Sequence, residues 1–314
     1  MDGTNPGTLL DPASGGIALA AELLRAGGLV AIPTETVYGL AARADSAAAV
    51  AAIYRAKGRP DFNPLIVHVS GVEQARALAH FDARAEMLAA RFWPGPLTLV
   101  LPARADSGIA PAVTAGLPTI ALRSPAHPVA RALLAELGLP LAAPSANRSL
   151  GVSPTRAQHV RDSLGDACPP VLDGGDCAAG LESTIIALRE SGGWQLLRPG
   201  PVGIETLSAL LGEPDELRGA TIEAPGQMAR HYSPGKPVRL NATESEEGEF
   251  HIGFGEVAGQ ISLSTTGDLA EAAARLYACL HIGAAARESR LAVAPIPTDG
   301  MGAAINDRLR RASA

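Results

Sequence analysis

The chain has 314 residues, of which 47% are hydrophobic and 18% charged, and a formal net charge of −6. That is enough apolar material for one large domain and a smaller one, and it excludes an intrinsically disordered polymer. A net acidic chain with 4% aromatic residues also lacks the basic face and stacking rings of a non-specific nucleic-acid binder, although a local basic cleft is compatible with it.

In chain order, residues 15–27 predict a helix and 29–34 (LVAIPT) a buried strand stopped by Pro33. Ser46 is placed to cap a helix over SAAAVAAIYRAKG. Then follow LIVHV (65–69), a helical stretch over 72–92, LTLVLPA (97–103), TIALR (119–123) and a helix near 127–137. LPLAAPSAN, a helix from Thr155, PVLDGG, STIIALR and WQLLRPG complete a region ending near residue 211. Short apolar strands interleaved with helices predict an α/β fold with a mixed sheet. Residues 212–236 are Gly- and Pro-rich without apolar periodicity and read as a linker. Beyond it, 237–314 predict a small βα domain: PVRLNA, FHIGFG, QISLS, a helix near 268–282, RLAVAPIP and a last helix near 301–312.

Cys168, Cys177 and Cys279 form no C-x-x-C pair and read as reduced thiols. The N-terminal residues lack a basic signal-like region, and no apolar run approaches the ~18 residues of a membrane span. The expectation is a cytoplasmic protein without membrane association. Neither Lys57 nor Lys236 completes a phosphate-binding Walker loop, Gly253-Phe-Gly255 is followed by a third glycine one residue too late for a dinucleotide loop, and the histidines show no metal-ligand spacing.

Four polar clusters at strand ends and loops carry the chemistry. In Pro33-Thr34-Glu35-Thr36-Val37-Tyr38-Gly39, hydroxyls and a carboxylate leave a buried strand, as in a small-ligand site or a capped loop. Lys57-Gly58-Arg59-Pro60, followed by Asn63, concentrates positive charge; Lys57 is one of only two lysines among 26 cationic residues. Fixed cations at that density suit a polyphosphate, although they also suit the end of a helix. Ser145, Asn147 and Ser153 cluster ahead of a predicted helix, where backbone N–H groups and hydroxyls suit an anion or ribose; ordinary turn and N-cap chemistry accounts for Ser153 and Thr155 but not for Ser145 and Asn147. Thr119 and Arg123 share one face of a strand, Ser183 starts another, and Arg198 ends a third; an Arg within an apolar strand requires an anionic partner.

These motifs resemble the threonylcarbamoyl-AMP synthase family in its two-domain form. PTETVYGLAA, KGRP with NPLIVHV, FWPGPLTLVL, TIALRSPAHP, PSAN, STII and LRPG occur in the family's order; APGQMARHYSP resembles its linker and GMGAAINDRLRRA the end of its second domain. The resemblance implies a YrdC-like twisted sheet with a small Rossmann-like second domain, and synthesis of threonylcarbamoyl-AMP and pyrophosphate from L-threonine, bicarbonate or CO2, and ATP. The product would serve threonylcarbamoyladenosine formation in tRNA. It further implies that Thr36, His68, Arg123, Ala143 and Ser183 contact L-threonine, with Arg123 on its carboxylate. Arg59, Asn63, Thr119, Ser145, Ser153, Arg198 and Tyr232 would contact ATP, Tyr232 as part of a lid. Lys57 and Arg59 would neutralise developing charge, with Thr34 and Asn147 as further candidates. Mg2+ would arrive with ATP, without protein side-chain ligands, and a downstream tRNA threonylcarbamoyl transferase complex would take the product; a weak RNA contact is compatible with this scheme.

The sequence departs from the family pattern at Leu150, where glycine is usual, at Ala187, where Asp is common, and at Gln227-Met228-Ala229 in the linker. The second domain is also short for the type. The competing readings are a non-catalytic RNA-binding or regulatory module on the same fold, and a carbamoyltransferase of the hydrogenase-maturation kind, which expects Cys-rich zinc motifs that this chain lacks.

Overall fold

A computed structural model describes residues 7–59, 63–216, 223–225 and 231–314. The linker predicted over 212–236 therefore lies partly outside the described residues, including its Gln-Met-Ala stretch. The first part of the chain builds one ten-stranded mixed sheet from β1 (Leu9–Leu10), β2 (Val30–Ile32), β3 (Gly39–Arg43), β4 (Ile66–His68), β5 (Leu97–Pro102), β6 (Thr119–Arg123), β7 (Leu141–Ala142), β8 (Val171–Leu172), β9 (Thr184–Leu188) and β10 (Trp194–Arg198). Their spatial order is β1-β8-β2-β3-β7-β4-β6-β5-β9-β10. At the centre β4 and β6 run parallel, pairing Ile66 with Ala121 and His68 with Arg123.

Side-chain alternation divides the sheet into two apolar faces. Ala31, Leu40, Val67, Leu99 and Leu122 point into the main core with Val50 and Ile53 of α2 (Ala47–Lys57). Val30, Ile32 and Ala41 point the other way, onto Leu24 and Leu134. Those two leucines lie on the helices Gly16–Arg25 and Pro128–Leu137. Ile66, Ala121 and Val100 belong to a further cluster on the same sheet with Ile185. His68 and Arg123 follow Ile66 and Ala121 by two residues, so they share that face and extend it toward the strand ends.

The predicted Ser46 cap is present: its hydroxyl accepts from Ala49 N–H, and α2 ends at Gly58 with φ 58°. The single helical stretch predicted over 72–92 is instead two helices, Val72–Arg76 and Ala83–Phe92. The second has its own cap, Asp82, and a bridge from Ala79 to Ala103 draws the intervening residues toward the sheet. Among the elements that escaped the sequence reading are the short β1, a helical turn over Pro111–Thr114, β3, which follows directly from the polar Thr34–Tyr38 turn, and a helix over Ile204–Leu211.

The second unit is an all-parallel sheet of four strands, ordered Val238–Arg239, Arg290–Val293, Glu249–Gly253, Ile261–Ser262. It is covered by the helices Leu269–Ala285 and Met301–Ala312, whose Leu276, Leu280, Ile305 and Leu309 share a core with Ile252, Leu291 and Val293. The two units touch closely. Gly180 has φ +65°, and a Cβ there would lie 2.4 Å from Ala274 Cα in the second unit's first helix. A side chain at this position would push the units apart. Among the described residues no helix is long and apolar enough to cross a membrane.

Candidate active site

The site begins where β2 ends. Thr34 Oγ1 accepts from Thr36 N–H and Val37 N–H, both at 3.2 Å, and donates to Val37 O at 2.6 Å, which fixes the turn leading into β3. This places the Thr36 hydroxyl to accept from Arg123 Nη1 at 2.8 Å. Arg123 also donates Nε to Gly95 O at 3.2 Å and pairs with Glu35 Oε1 at 2.7 Å. The anionic partner that an Arg in a strand requires is therefore Glu35, whose other oxygen accepts from Ala126 N–H. Burial alone would raise the Glu35 pKa, but the Arg123 guanidinium holds it below its ordinary value. Three of the guanidinium's five N–H donors are accounted for, so it can still receive a carboxylate.

His68, beside Arg123 in register, is buried, and its Nδ1 has no hydrogen-bond partner among the described residues. Burial, reinforced by Arg123, pushes its pKa down to about 3. At neutral pH it is a neutral imidazole with a free ring nitrogen. On the next strand pair Arg198 donates Nε to Ser183 O and Nη2 to Ser183 Oγ, both at 3.1 Å, while Ser183 Oγ lies 2.7 Å from Thr98 Oγ1. Arg59 donates to Pro64 O at 3.2 Å, and its buried Nε lacks a partner among the described residues. Chiefly through burial, with Arg198 adding repulsion, its pKa falls to about 10.

Thr34, Thr36, Arg59, His68, Arg123, Ala143, Ser145, Ser183, Arg198 and Tyr232 line one cavity. Pro225 and His231 also line it, with Tyr232 as the roof from the linker. His231 N–H donates to Arg311 O in the second unit, and Ser233 N–H to Leu150 O in the first. Leu150 has φ +71°, a left-handed conformation that favours glycine and costs a leucine roughly 1 kcal/mol. The cavity encloses about 40 Å3, far below the ~300 Å3 and more of a nucleotide-sized pocket.

Five predicted residues do not line it. Lys57 is buried, and its ammonium donates to the carbonyls of Ser145 and Asn147, so in this conformation it holds the Ser145 loop from behind rather than facing the cavity. Asn147 braces the same loop through Arg148 O and Gly151 O. Ser153 donates to Glu182 Oε1 at 2.5 Å. Thr119 is half-buried at the start of β6, the opposite end from Arg123, and Asn63 is buried near Tyr54, which donates to its carbonyl. The sequence reading missed Glu182 and His231, which flank the STII motif and Tyr232. Among the described residues no group of three or more His, Cys, Asp or Glu is placed to hold a metal ion. The cavity's one lining carboxylate, Glu182, is already bonded to Ser153, Tyr277 and Arg308. The described residues therefore do not fit a protein-held Mg2+.

The buried imidazoles predict an acid-sensitive fold. His231, like His68, has its pKa pushed down to about 3, chiefly by burial. Between about pH 6.5 and 3 the unfolded chain binds protons at these two positions that the folded chain refuses, so stability falls as pH drops through that window. From pH 7 to 5 each should remove on the order of 1–2 kcal/mol. The check is the midpoint of urea unfolding at both pH values, with His68→Asn expected to flatten the dependence. An unchanged midpoint in the parent protein would contradict neutral burial.

A cavity lined by three arginines and several hydroxyls at strand ends of a mixed α/β sheet has the fixed positive charge that suits anionic groups, as in an enzyme of the nucleotidyltransferase type. Comparison with known proteins gives the family. Residues 22–200 match the family model described as "Telomere recombination", and residues 202–314 match the one described as "Threonylcarbamoyl-AMP synthase, C-terminal domain". The threonylcarbamoyl-AMP synthase of Bacillus subtilis is 39% identical over 95% of this chain and 92% of its own length. That of Pyrococcus abyssi is 41% identical over 95% of this chain and 94% of its own. The crystal structure of P. abyssi Sua5 complexed with L-threonine superposes with a TM-score of 0.88 at 36% identity, covering 98% of this chain and 97% of that one. The chain belongs to the threonylcarbamoyl-AMP synthase family.

Proposed function

We propose that this protein makes threonylcarbamoyl-adenylate from L-threonine, bicarbonate-derived CO2 and ATP. The observation that carries the reading is the Arg123–Thr36–His68 corner inside the same cavity as Arg59 and Arg198. Arg123 receives the threonine carboxylate, Thr36 and Ser183 offer hydroxyls, and Ala143 leaves room for the side chain. Neutral His68 can accept from the substrate's ammonium or hydroxyl without adding like charge. The amine adds to CO2 and loses a proton, giving a carbamate. A carbamate oxygen then bonds to the α-phosphorus, the bond from that phosphorus to the β-phosphate oxygen breaks, and pyrophosphate leaves.

Arg59 and Arg198 offset charge on the phosphates, and the Ser145 loop contacts the nucleotide; Asn63, Thr119 and Ser153 reach it only after rearrangement. Mg2+ arriving with ATP would supply further charge neutralisation, without a ligand from the described side chains. The protein's contribution is positioning, fixed charge and exclusion of water from a labile anhydride. The product then passes to a transferase acting on tRNA. The test is pyrophosphate release with Mg2+–ATP, with each co-substrate omitted in turn. Release that needs both L-threonine and bicarbonate supports the reading; release with ATP alone, or none from folded protein, overturns it.

Tyr232 and His231 fill the roof of a cavity too small for a nucleotide, so ATP entry requires them to move outward and then close again. Tyr232→Ala is expected to raise KM for ATP about 10-fold and to increase hydrolysis of the anhydride to AMP. The ratio of AMP to trapped product measures this directly. A ratio equal to that of the parent protein would remove Tyr232 from the lid.

A further inference from the structure

Glu182 is an anomaly in this site. It is the only carboxylate among the described residues lining a cavity whose cations are Arg59, Arg123 and Arg198. It is buried, and all its described side-chain partners converge from elsewhere. Oε1 accepts from Ser153 Oγ at 2.5 Å; Oε2 accepts from Tyr277 OH at 2.7 Å and from Arg308 Nε at 3.0 Å. Tyr277 and Arg308 belong to the two helices of the second unit. Arg308 is completely buried. Its Nη1 donates to Pro199 O at 2.8 Å, beside Arg198, and its guanidinium lies over the Tyr232 ring at 5.5 Å.

A bare carboxylate here would oppose the phosphates that Arg59 and Arg198 attract, and a buried unpaired charge is strongly unfavourable. Burial alone would raise the Glu182 pKa, but Arg308 and then Arg198 hold it down at about 2, so protonation does not remove the charge at neutral pH. Its neutralisation depends on a counter-charge, and Arg308 is the closest. Arg198 is already directed to Ser183 and Pro225.

We propose that Arg308 is a positioning residue for the nucleotide half of the site: it neutralises Glu182, holds the Pro199 carbonyl and supports the Tyr232 ring, so that the second unit completes the pocket of the first. This rests on the reading that ATP lies against Arg59 and Arg198. The second unit is then a working part of the site rather than an appendage. Tyr277 fixes the Glu182 carboxylate from the same unit, and Gly180 permits the close approach that brings both partners within reach.

The proposal predicts effects of opposite sign. Arg308→Met keeps much of the apolar stem and leaves Glu182 unbalanced; KM for ATP should rise about 10-fold or more, with KM for L-threonine changing less than about 3-fold. Glu182→Gln keeps the shape and acceptor of the side chain and leaves Arg308 with Asp307, whose Oδ2 accepts from its Nη1 at 3.0 Å, as the carboxylate still paired with it; KM for ATP should stay level or fall. The double variant should return KM for ATP to within about 3-fold of the parent, because removing both members of a buried pair is well tolerated. A purely structural contact would instead raise both KM values in each single variant, and that pattern overturns the proposal.

Should Arg308→Met fail to fold, Glu182→Gln and the double variant retain the decisive comparison: a large rise in KM for ATP in either sinks the idea. Arg59→Ala separates the underlying assumption. If it leaves KM for ATP unchanged, the nucleotide reading fails and the Arg308 role with it. If it raises KM for ATP while Arg308→Met does not, the Arg308 role alone fails.

Discussion

Arg123→Ala is expected to lower kcat/KM for L-threonine by roughly 10²-fold or more, with KM for ATP moving far less. The guanidinium is held by Gly95 O, the Thr36 hydroxyl and Glu35, so its remaining donors point where a substrate carboxylate can be met without further ordering. The same substitution strands Glu35, whose side chain is 14% exposed, and should cost about 3 kcal/mol of stability. These two losses can be pulled apart. Arg123→Ala combined with Glu35→Gln removes the stranded charge and should recover most of the stability, yet threonine use should remain lost. Recovery of both together would mean that Arg123 acts only through the fold.

Lys57 tests a different question, because its sequence neighbourhood and its surroundings in the fold give different answers. The KGRP motif resembles a phosphate-binding corner, but the ammonium is directed at Ser145 O and Asn147 O, and burial with Arg59 nearby holds its pKa well below the ordinary lysine value. Lys57→Met should therefore release the Ser145 loop, raise KM for ATP, cost roughly 1–3 kcal/mol of stability and lower turnover by about 10²-fold. Unfolding midpoints and kcat measured on one preparation decide the matter. A collapsed kcat with unchanged midpoint and unchanged KM would mean that the ammonium leaves the carbonyls and acts on the reacting phosphates.

The elements legible in the sequence are those whose cause is local. Predominantly apolar runs marked β5, β6 and β9; Ser46 three residues before Ala49 marked the start of α2. The predicted helix over 72–92 failed for an equally local reason, since an Asp82 cap reads like any other acidic residue until the chain turns at it. Pairings across long stretches of sequence were hidden. That Arg123 needed an anion followed from its strand, but that Glu35 supplies it depends on where the turn after β2 comes to rest beside β6. Glu182 was invisible as a site residue because a carboxylate contradicts the cationic pattern around it, and only the fold brings Arg308 and Tyr277 to it. Likewise the exceptional scarcity of lysine marked Lys57 as special without saying which way it points.

The large sheet closes late. β1 and β2 both pair with β8, Leu9 against Val171 and Ala31 against Val171, so β8 lies between two strands made long before it. As the chain leaves the ribosome, the outer edge of β2 stays open until residues near 171 emerge. Pairing across such separations makes folding slow, because loop-closure entropy opposes it before any contact rewards it. In that interval the nascent chain presents an apolar strand edge to its neighbours, which is the stage most exposed to aggregation. A lower growth temperature, which weakens apolar association between chains, should therefore raise the soluble yield of this protein more than any strengthening of its finished core.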